Sequence, residues 1–256
     1  MKDRDAFYVV ARESGSEKND LPVWASKLPN PFALNSDKNN VTTRVEVSSV
    51  PGAFQLLNVF TREEFETMVS ITEQLGYTED AAVSLPRHIR HNSNLTWVAD
   101  DFTTDLIWDR CKHLFIDKYG HFQGKKPLGL NARFRFYHYG AGDFFKMHID
   151  GSWPGSRIVD DQLVNDAYGD RWSMYTFLIL LSDDFEGGET QFVVNREDPS
   201  KPARDGLNAE KVTVRTPAGS VLCFPHGTHP YHCLHGSAPV ISGTKYIIRT
   251  DVLFEL

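Results

Sequence analysis

The feature that most constrains the fold is the spacing of apolar residues from residue 131 to the C-terminus, where apolar and polar positions alternate. Successive side chains of a β-strand point to opposite faces, so this spacing predicts strands. In NARFRFYHY (131–139), Phe134 and Phe136 share one face. The opposite face carries four polar or amphipathic side chains: Arg133, Arg135, Tyr137 and Tyr139. The stretch SMYTFLILL (173–181) is almost continuously apolar, which is typical of a central strand covered on both sides.

Helical spacing is confined to the part of the chain before residue 131. A helix is predicted over 61–75, where Thr61 and Glu64 form a capping box and apolar residues recur at helical spacing. A second helix is predicted from about residue 101, ending at Gly120. Further strands are expected at 191–194, 211–214, 220–224 and 244–254. Helices followed by many short strands indicate an α+β chain, with N-terminal helices flanking an antiparallel barrel or jelly roll.

The first 45 residues are polar and interrupted by Pro and Asn, as in LPNPFALNSDKNN (28–40). We therefore interpret 1–45 as a polar, partly disordered N-terminal arm. Residues 46–256 then form one domain, long enough to bury a core without disulfides. The cysteines, Cys111, Cys223 and Cys233, make neither a CxxC pair nor a secreted framework. We expect them to be reduced core thiols.

Composition argues against several classes of partner. The formal net charge of -7 and the pI of 5.8 provide no general basic field for binding nucleic acid. No run approaches the roughly 18 apolar residues of a membrane span. The start of the sequence also lacks the apolar stretch of a secretory signal. We therefore expect a cytoplasmic protein that binds neither nucleic acid nor a membrane.

His148 and Asp150 are two residues apart, so in a strand their side chains point to one spot. A second imidazole from a distant strand would complete a set that suits Fe(II), because two imidazoles and one carboxylate leave three adjacent coordination positions. The tripeptide alone is weak support, since the chain has ten histidines. Candidates for the third ligand lie close together near the C-terminus: His226, His229, His232 and His235.

Lys245 bears on the choice among these histidines, because it follows His235 by ten residues and begins the last predicted strand. That strand places Lys245, Arg249 and Asp251 on one face. A buried ammonium group is costly unless it meets an anion, and the distal carboxylate of 2-oxoglutarate would be such an anion. The alternative is an edge strand whose lysine faces water.

Four stretches of the chain resemble the prolyl 4-hydroxylase-like branch of the 2-oxoglutarate and Fe(II) dependent dioxygenases: FYHYGAGDFFKMHID (136–150), TFLILLSDDFEGGETQF (176–192), PAGSVLCF (217–224) and LHGSAPVISGTK (234–245). Their order is that of the family, and LLNVFTREEFETMV (56–69) resembles its opening helix. The resemblance implies a double-stranded β-helix, or jelly-roll, core from about residue 50 to the end. It also implies Fe(II), 2-oxoglutarate and O2 as cofactor and co-substrates.

Residue by residue, the resemblance implies three iron ligands: His148, Asp150 and His235. It implies that Lys245 forms a salt bridge with the distal carboxylate of 2-oxoglutarate and that Tyr139 donates a hydrogen bond to the same group. The carboxylate at position 150 favours hydroxylation, because halogenating relatives lack it. Arg249 is a further candidate for binding 2-oxoglutarate; the alternative is a structural ion pair with Asp251 or another buried acid.

The substrate is the open question at this point. Arg135, Arg133 and Tyr137 share the face of Tyr139, so two arginines could select an acidic substrate; the alternative is pairing with internal acids such as Glu186 or Glu189. Trp153, just after the ligand pair, is a candidate for a lid or for a hydrophobic plug against the helices. We expect a small-molecule substrate, with a protein hydroxylase and a non-catalytic metal-binding jelly-roll protein as alternatives.

Overall fold

A computed structural model of the chain describes residues 3–18, 20–36, 41–81, 85–204 and 206–256. The strands are, in chain order, β1 Phe7–Glu13, β2 Leu21–Ser26, β3 Thr43–Glu46, β4 Phe54–Leu57, β5 Arg90–His91, β6 Ser93–Val98, β7 Pro127–Leu130, β8 Arg133–Tyr139, β9 Phe144–His148, β10 Arg157–Val159, β11 Gln162–Val164, β12 Arg171–Leu180, β13 Glu186–Gly187, β14 Thr190–Asn195, β15 Ala209–Val214, β16 Val221–Pro225, β17 Leu234–Ser237, β18 Val240–Ser242 and β19 Lys245–Glu255. The helices are α1 Arg62–Leu75 and α2 Asp101–Cys111, with 3-10 turns at Asp3–Ala6 and Lys112–Leu114.

The larger sheet runs in the order β1-β2-β6-β8-β19-β12-β16-β4-β3, and β7 also pairs with β19. Its strands are antiparallel except for the parallel pair β2 and β6. The almost continuously apolar segment becomes β12, which lies between β19 and β16 as predicted for a central strand. One face of this sheet packs under the helices and buries Phe134 and Phe136. The other face carries Tyr137 and Tyr139 into a second core, as their alternation predicts.

The smaller sheet runs in the order β15-β14-β17-β9-β5. Its inward side chains, such as Phe192 and Val194, meet Leu178 and Phe224 of the larger sheet in the second core. Aromatic and branched side chains from two facing sheets bury a shared apolar volume, as in other β-sandwiches. The chain is therefore mostly β-structure with a jelly-roll core, and the second core is the part that surrounds the candidate site.

Helices are a minor component of the fold, with 13% of residues in helix against 41% in strand. Helix α1 begins behind Thr61, whose side chain accepts from the backbone N–H of Glu64 while the Glu64 carboxylate accepts from the backbone N–H of Thr61. Helix α2 ends at Cys111 rather than continuing toward Gly120. The prediction of an α+β chain with a flanking set of N-terminal helices is thus corrected, because helices are few and seven strands, β1 to β7, also lie before residue 131. No helix in the described ranges is long and apolar enough to span a membrane.

The first part of the chain also departs from the prediction of a partly disordered arm. Strands β1 and β2 form an antiparallel hairpin, and β2 pairs with β6 at the end of the larger sheet. Alternate side chains of β2, namely Leu21, Val23 and Ala25, are buried and anchor the hairpin. The sequence interpretation missed this hairpin because its two short apolar segments are separated by the polar stretch ESGSEKND (13–20). The division of the chain at residue 45 stays a prediction.

Candidate metal centre and adjoining cavity

The structure brings His148, Asp150 and His235 together on the smaller sheet. His148 ends β9 and lies opposite His235 of β17 in the strand register, and Asp150 follows two residues later. His148 Nε2 is 3.6 Å from Asp150 Oδ1, and His235 Nε2 is 3.4 Å from Asp150 Oδ2. One possible ligand atom from each residue lies within 4.8 Å of the others. Two imidazoles and one carboxylate therefore converge on one point, as the sequence predicts.

The backbone orients the two histidines. His148 Nδ1 lies 2.8 Å from the carbonyl oxygen of Lys146, and His235 Nδ1 lies 3.3 Å from that of Cys233. A carbonyl oxygen accepts only, so each Nδ1 carries the proton and donates it. In the neutral imidazole, each Nε2 is then left with a lone pair directed at Asp150. Metal-binding histidines generally donate a hydrogen bond, as Nδ1 does here, from the ring nitrogen that does not bind the metal.

Asp150 is held in its charged form by its neighbours. Burial favours the neutral carboxyl group, but the Arg249 guanidinium, together with the two adjacent imidazoles, outweighs burial and holds the pKa of Asp150 well below its usual range. Arg249 Nε lies 3.1 Å from Asp150 Oδ2. Thr176 of β12 donates its hydroxyl to the same oxygen at 2.7 Å. Oδ2 is thus satisfied by the protein, while the carboxylate remains anionic, as a metal ligand must be.

A network of buried hydrogen bonds continues from Thr176, and it was not predicted from the sequence. His226 Nδ1 is 2.9 Å from Thr176 Oγ1, and its Nε2 is 3.0 Å from Ser173 Oγ. The Ser173 hydroxyl in turn accepts the backbone N–H of Trp153 at 2.8 Å. Burial lowers the pKa of His226 to about 4, so this imidazole is neutral near pH 7. Thr176 and Ser173 are the polar positions of an otherwise apolar segment, which is the signal that could have revealed the network.

Replacing Thr176 with valine is expected to weaken Fe(II) binding by about 10- to 100-fold, as is typical when a partner of a ligand is lost. Valine has nearly the shape of threonine, so the fold should persist while Asp150 loses its hydroxyl donor. Equilibrium titration with Fe(II) under anaerobic conditions measures the effect. Thr213→Val, at an exposed position of β15, is the matched control. Wild-type affinity in Thr176→Val would show that Thr176 does not orient Asp150.

Lys245 and Tyr139 lie deeper in the pocket that opens onto the three-residue cluster. They are register partners on β19 and β8, and the Lys245 ammonium is 5.1 Å from the centre of the Tyr139 ring. Lys245 is 1% exposed, and its Nζ donates to the carbonyl oxygen of Gly188 at 2.6 Å and to Ser237 Oγ at 2.9 Å. These oxygens are neutral. Burial, with a smaller contribution from Arg215, lowers the pKa of Lys245 to about 7. The buried strand interior excludes the alternative of a solvent-facing lysine.

Arg249 lines the same pocket, but its guanidinium group already forms ion pairs with two carboxylates. Besides its contact with Asp150, its Nη2 lies 2.9 Å from Asp251 Oδ1. Burial opposes the positive charge, yet Asp150 and Asp251 outweigh it and raise the pKa of Arg249. This geometry favours the ion-pair interpretation over direct binding of a co-substrate, and it explains why Arg249 and Asp251 share one face of β19. A role for Arg249 in 2-oxoglutarate binding stays a prediction.

The residues predicted to contact substrate are divided between two spaces. Tyr137 lines the metal pocket. Arg133, Arg135 and Trp153 line an adjoining cavity of about 510 Å³. Arg133 is paired with Glu13 of β1, which agrees with the alternative of an internal acid, although the acid is neither Glu186 nor Glu189. Arg135 lies 5.6 Å from the centre of the Trp153 ring, which is partly exposed in the cavity wall rather than plugged against the helices.

The remaining histidines of the C-terminal group have other contacts. His226 belongs to the polar chain behind Asp150, as described above. His229 donates from Nε2 to the carbonyl oxygen of His121 at 2.7 Å, and His232 Nδ1 lies 2.6 Å from the carbonyl oxygen of His229. Neither side chain takes part in the metal cluster found among the described residues. The structure therefore selects His235 from the four candidates.

Comparison with known proteins agrees with this geometry. Residues 134–250 match the 2OG-Fe(II) oxygenase superfamily. Prolyl 4-hydroxylase 13 of Arabidopsis thaliana is 28% identical over 127 residues, which cover 47% of this chain and 42% of the relative. The chain thus aligns with less than half the length of this curated relative.

Solved structures with a similar fold include prolyl hydroxylases. The enzyme of Trichoplax adhaerens, in complex with a hypoxia inducible factor oxygen degradation domain peptide, gives a TM-score of 0.52 at 14% identity, covering 78% of this chain and 83% of that chain. A viral collagen prolyl hydroxylase from Paramecium bursaria Chlorella virus-1 gives 0.49 at 14% identity, covering 82% and 99%. Residues 134–250 are thus similar to the 2OG-Fe(II) oxygenase superfamily, a class that uses Fe(II), 2-oxoglutarate and O2. Within this class, the similarity is to the prolyl 4-hydroxylases.

Proposed function

We propose that this protein is a 2-oxoglutarate-dependent Fe(II) oxygenase that hydroxylates a C–H bond of its substrate. One observation carries the proposal: the buried ammonium group of Lys245 contacts only neutral oxygens among its hydrogen-bond partners and opens onto the same pocket as His148, Asp150 and His235. A buried cation of this kind is costly in isolation and becomes favourable when an anionic ligand binds. The pocket therefore combines a set of metal ligands with a receptor for a carboxylate.

The donor set fits Fe(II). His148 and His235 would supply imidazole nitrogens and Asp150 a carboxylate oxygen, an arrangement that leaves open positions for a chelating co-substrate and oxygen. When bound, iron with 2-oxoglutarate and O2 supplies the oxidising chemistry, which places one oxygen atom in the product and releases succinate and CO2. The protein's own contribution is to bind and orient these groups. No side chain beyond the ligands needs to act as a general base.

For the co-substrate, we assign the distal carboxylate of 2-oxoglutarate to Lys245, with Tyr139 as a second donor beside it. Their pairing on adjacent strands supports this assignment. Burial, followed by the influence of Tyr137, raises the pKa of Tyr139, so its hydroxyl stays protonated and able to donate. Arg249 holds Asp150 in place and would act on the co-substrate only indirectly. We assign Arg135, Arg133 and Trp153 to the substrate because they line the adjoining cavity, and Tyr137 because it lines the metal pocket.

Two substrate classes are consistent with this chemistry. A small molecule is favoured by the size of the adjoining cavity, about 510 Å³, which is in the usual range for small-molecule sites. A protein side chain is favoured by the relatives, because prolyl 4-hydroxylase 13 and the Trichoplax adhaerens enzyme are prolyl hydroxylases by name. Mass spectrometry separates them: incubation with metabolite extracts or peptide pools should show the gain of one oxygen atom in only one of the two.

Titration of 2-oxoglutarate into the anaerobic Fe(II) protein tests the proposed function directly. We expect a weak visible metal-to-ligand charge-transfer band, followed by succinate formation when oxygen is admitted. The same titration with Zn(II) in place of Fe(II) is the control and should give no band. A non-catalytic jelly-roll metal protein would show neither the band nor succinate, and that pair of negative results would contradict an oxygenase.

A further inference from the structure

We propose that the cavity beside the metal cluster binds a small carboxylic acid with an apolar or aromatic body, and that Arg135 pairs with its carboxylate. This inference rests on the proposed function, because it names the class of substrate for the same site. The cavity is lined by side chains of the larger sheet and of the segment after Asp150, with Arg135, Asn131, Trp153 and Trp172 among them.

Arg135 is the arginine of this wall that makes no ion pair with the described residues, whereas Arg133 pairs with Glu13. It is 8% exposed, and its Nη1 has no hydrogen-bond partner among the described residues. A buried N–H donor without an acceptor is unfavourable, more so when the group is charged. Burial, followed by repulsion from Arg249, lowers the pKa of Arg135 to about 10. Arg135 therefore remains a cation at neutral pH, although its surroundings disfavour the charge.

The two arginines closest to Arg135 in the strand pattern are already neutralised. Arg133 is paired with Glu13, and Arg249 contacts both Asp150 and Asp251. Glu13 also borders the cavity, but its charge is taken up by Arg133. Of the three arginines, Arg135 is consequently the one that makes no ion pair with a carboxylate of the described residues. A planar guanidinium group with a free N–H edge is well suited to a carboxylate.

Two indole rings in the cavity wall suit an apolar body attached to that carboxylate. Trp153 lies beside the Arg135 guanidinium, and Trp172 forms another part of the wall. Indole rings provide large apolar surfaces with defined geometry for an aromatic or aliphatic ligand. Most of the other lining residues are polar, including Asn131 and Asn165. Directed polar groups of this kind fix the orientation of the ligand in small-molecule sites.

Sequence and strand register place the cavity near the candidate metal ligands. Its wall includes Ser152 and Trp153, which follow Asp150 by two and three residues. Arg135 is the register partner of Arg249, whose guanidinium contacts Asp150. Opposed residues of paired strands are neighbours at about 5 Å between Cβ atoms. A carboxylate on Arg135 would therefore anchor a molecule next to the metal cluster, with its body available for oxidation.

Matched acids and amides test this inference. We would titrate phenylacetate, indoleacetate and hexanoate, each against its neutral amide, into the full-length protein and follow tryptophan fluorescence and binding heat. Wild-type protein should bind at least one acid about tenfold or more tightly than its amide, as expected for a charge-assisted contact. Arg135→Gln should remove this preference and leave amide binding within about twofold, while Arg135→Lys should retain part of it.

Arg157→Gln provides the matched control. It removes the same charge from an arginine that pairs with Asp101 and does not line the cavity, so the preference for acids should persist. Equal binding of every acid and its amide by wild-type protein would overturn the inference, as would an intact preference in Arg135→Gln. If an acidic peptide binds through Arg135 and none of the small acids does, the proposal that the ligand is a small molecule is overturned.

The binding assay also separates this inference from the proposed function. It requires no turnover and is performed on the metal-free protein as well as on the anaerobic Fe(II) protein with 2-oxoglutarate. A preference for acids that depends on Arg135, in a protein that forms no succinate, would contradict only the oxygenase activity. Succinate formation without any such preference would contradict only the assignment of Arg135.

Discussion

Replacing Asp150 with alanine is expected to lower coupled turnover of substrate and 2-oxoglutarate by at least about a thousandfold, because the carboxylate completes the facial set of ligands. The change removes an anion that lies within 3.6 Å of the nearest imidazole nitrogen of each histidine. Product and succinate formation, measured together at saturating Fe(II), give the size of the loss. Retained wild-type activity would show that the ligand assignment is wrong.

The variant also removes a partner of Arg249, so a loss of folding must be distinguished from a loss of chemistry. Asp150→Asn keeps the shape of the side chain and lowers its charge, and it should be nearly as inactive. Arg249 retains Asp251 at 2.9 Å in either variant, which limits the cost of the missing charge. Circular dichroism and thermal unfolding monitor the fold. Asp109→Ala, at a half-exposed position of α2 paired with Lys112, is the matched control and should remain active.

Lys245→Met is expected to weaken 2-oxoglutarate binding by about 10- to 100-fold, because a charge-assisted pair is lost, while Fe(II) affinity changes little, because the three metal ligands are unchanged. Methionine preserves length and removes a buried charge that has only neutral partners in the ligand-free protein. The unfolding midpoint should therefore not fall. Calorimetry with 2-oxoglutarate and, separately, with Fe(II) measures both affinities. An unchanged 2-oxoglutarate affinity would indicate that Arg249, and not Lys245, binds the distal carboxylate of 2-oxoglutarate.

The pH dependence provides an independent check on the same residue. Because burial lowers the pKa of Lys245 to about 7, the ligand-free ammonium loses its proton as pH rises through neutrality. An anionic ligand binds the protonated form, so wild-type affinity should fall above about pH 7, by at most about tenfold per pH unit. The Lys245→Met profile should be flat in this range. Lys211→Met, at an exposed position of β15, should follow the wild type.

Much of the fold could be predicted from the sequence because strand alternation is a local property. Phe134 and Phe136 lie on one face of β8 and Tyr137 and Tyr139 on the other, as the two-residue period requires. The spacing of His148 and Asp150 predicted a shared direction, and the structure brings them within contact distance. Lys245 is buried, as expected for a cation that pairs with a bound anion.

The parts that escaped prediction depend on contacts between distant segments. Nothing near Arg133 in the sequence indicates Glu13, which lies 120 residues earlier. His226 was considered as a ligand, yet it supports Asp150 through Thr176, a role set by the register of β12 and β16. Strands β1 and β2 were missed because their apolar faces are short and interrupted. Each of these features depends on contacts between segments that are distant in sequence, and the local patterns of a single sequence do not reveal such contacts.

The hairpin of β1 and β2 forms part of the cavity that we propose binds the substrate. It supplies Glu13 and Ser14 to the wide cavity, whereas the superfamily match begins only at residue 134. The candidate metal ligands and this part of the cavity wall therefore lie on separate stretches of sequence, and only the first stretch matches the superfamily. Trimming the polar beginning of the chain to obtain a shorter expression product would open this wall and leave Arg133 without its counter-ion. Exchanging the hairpin between homologues would be a route to new substrates that leaves the metal site untouched.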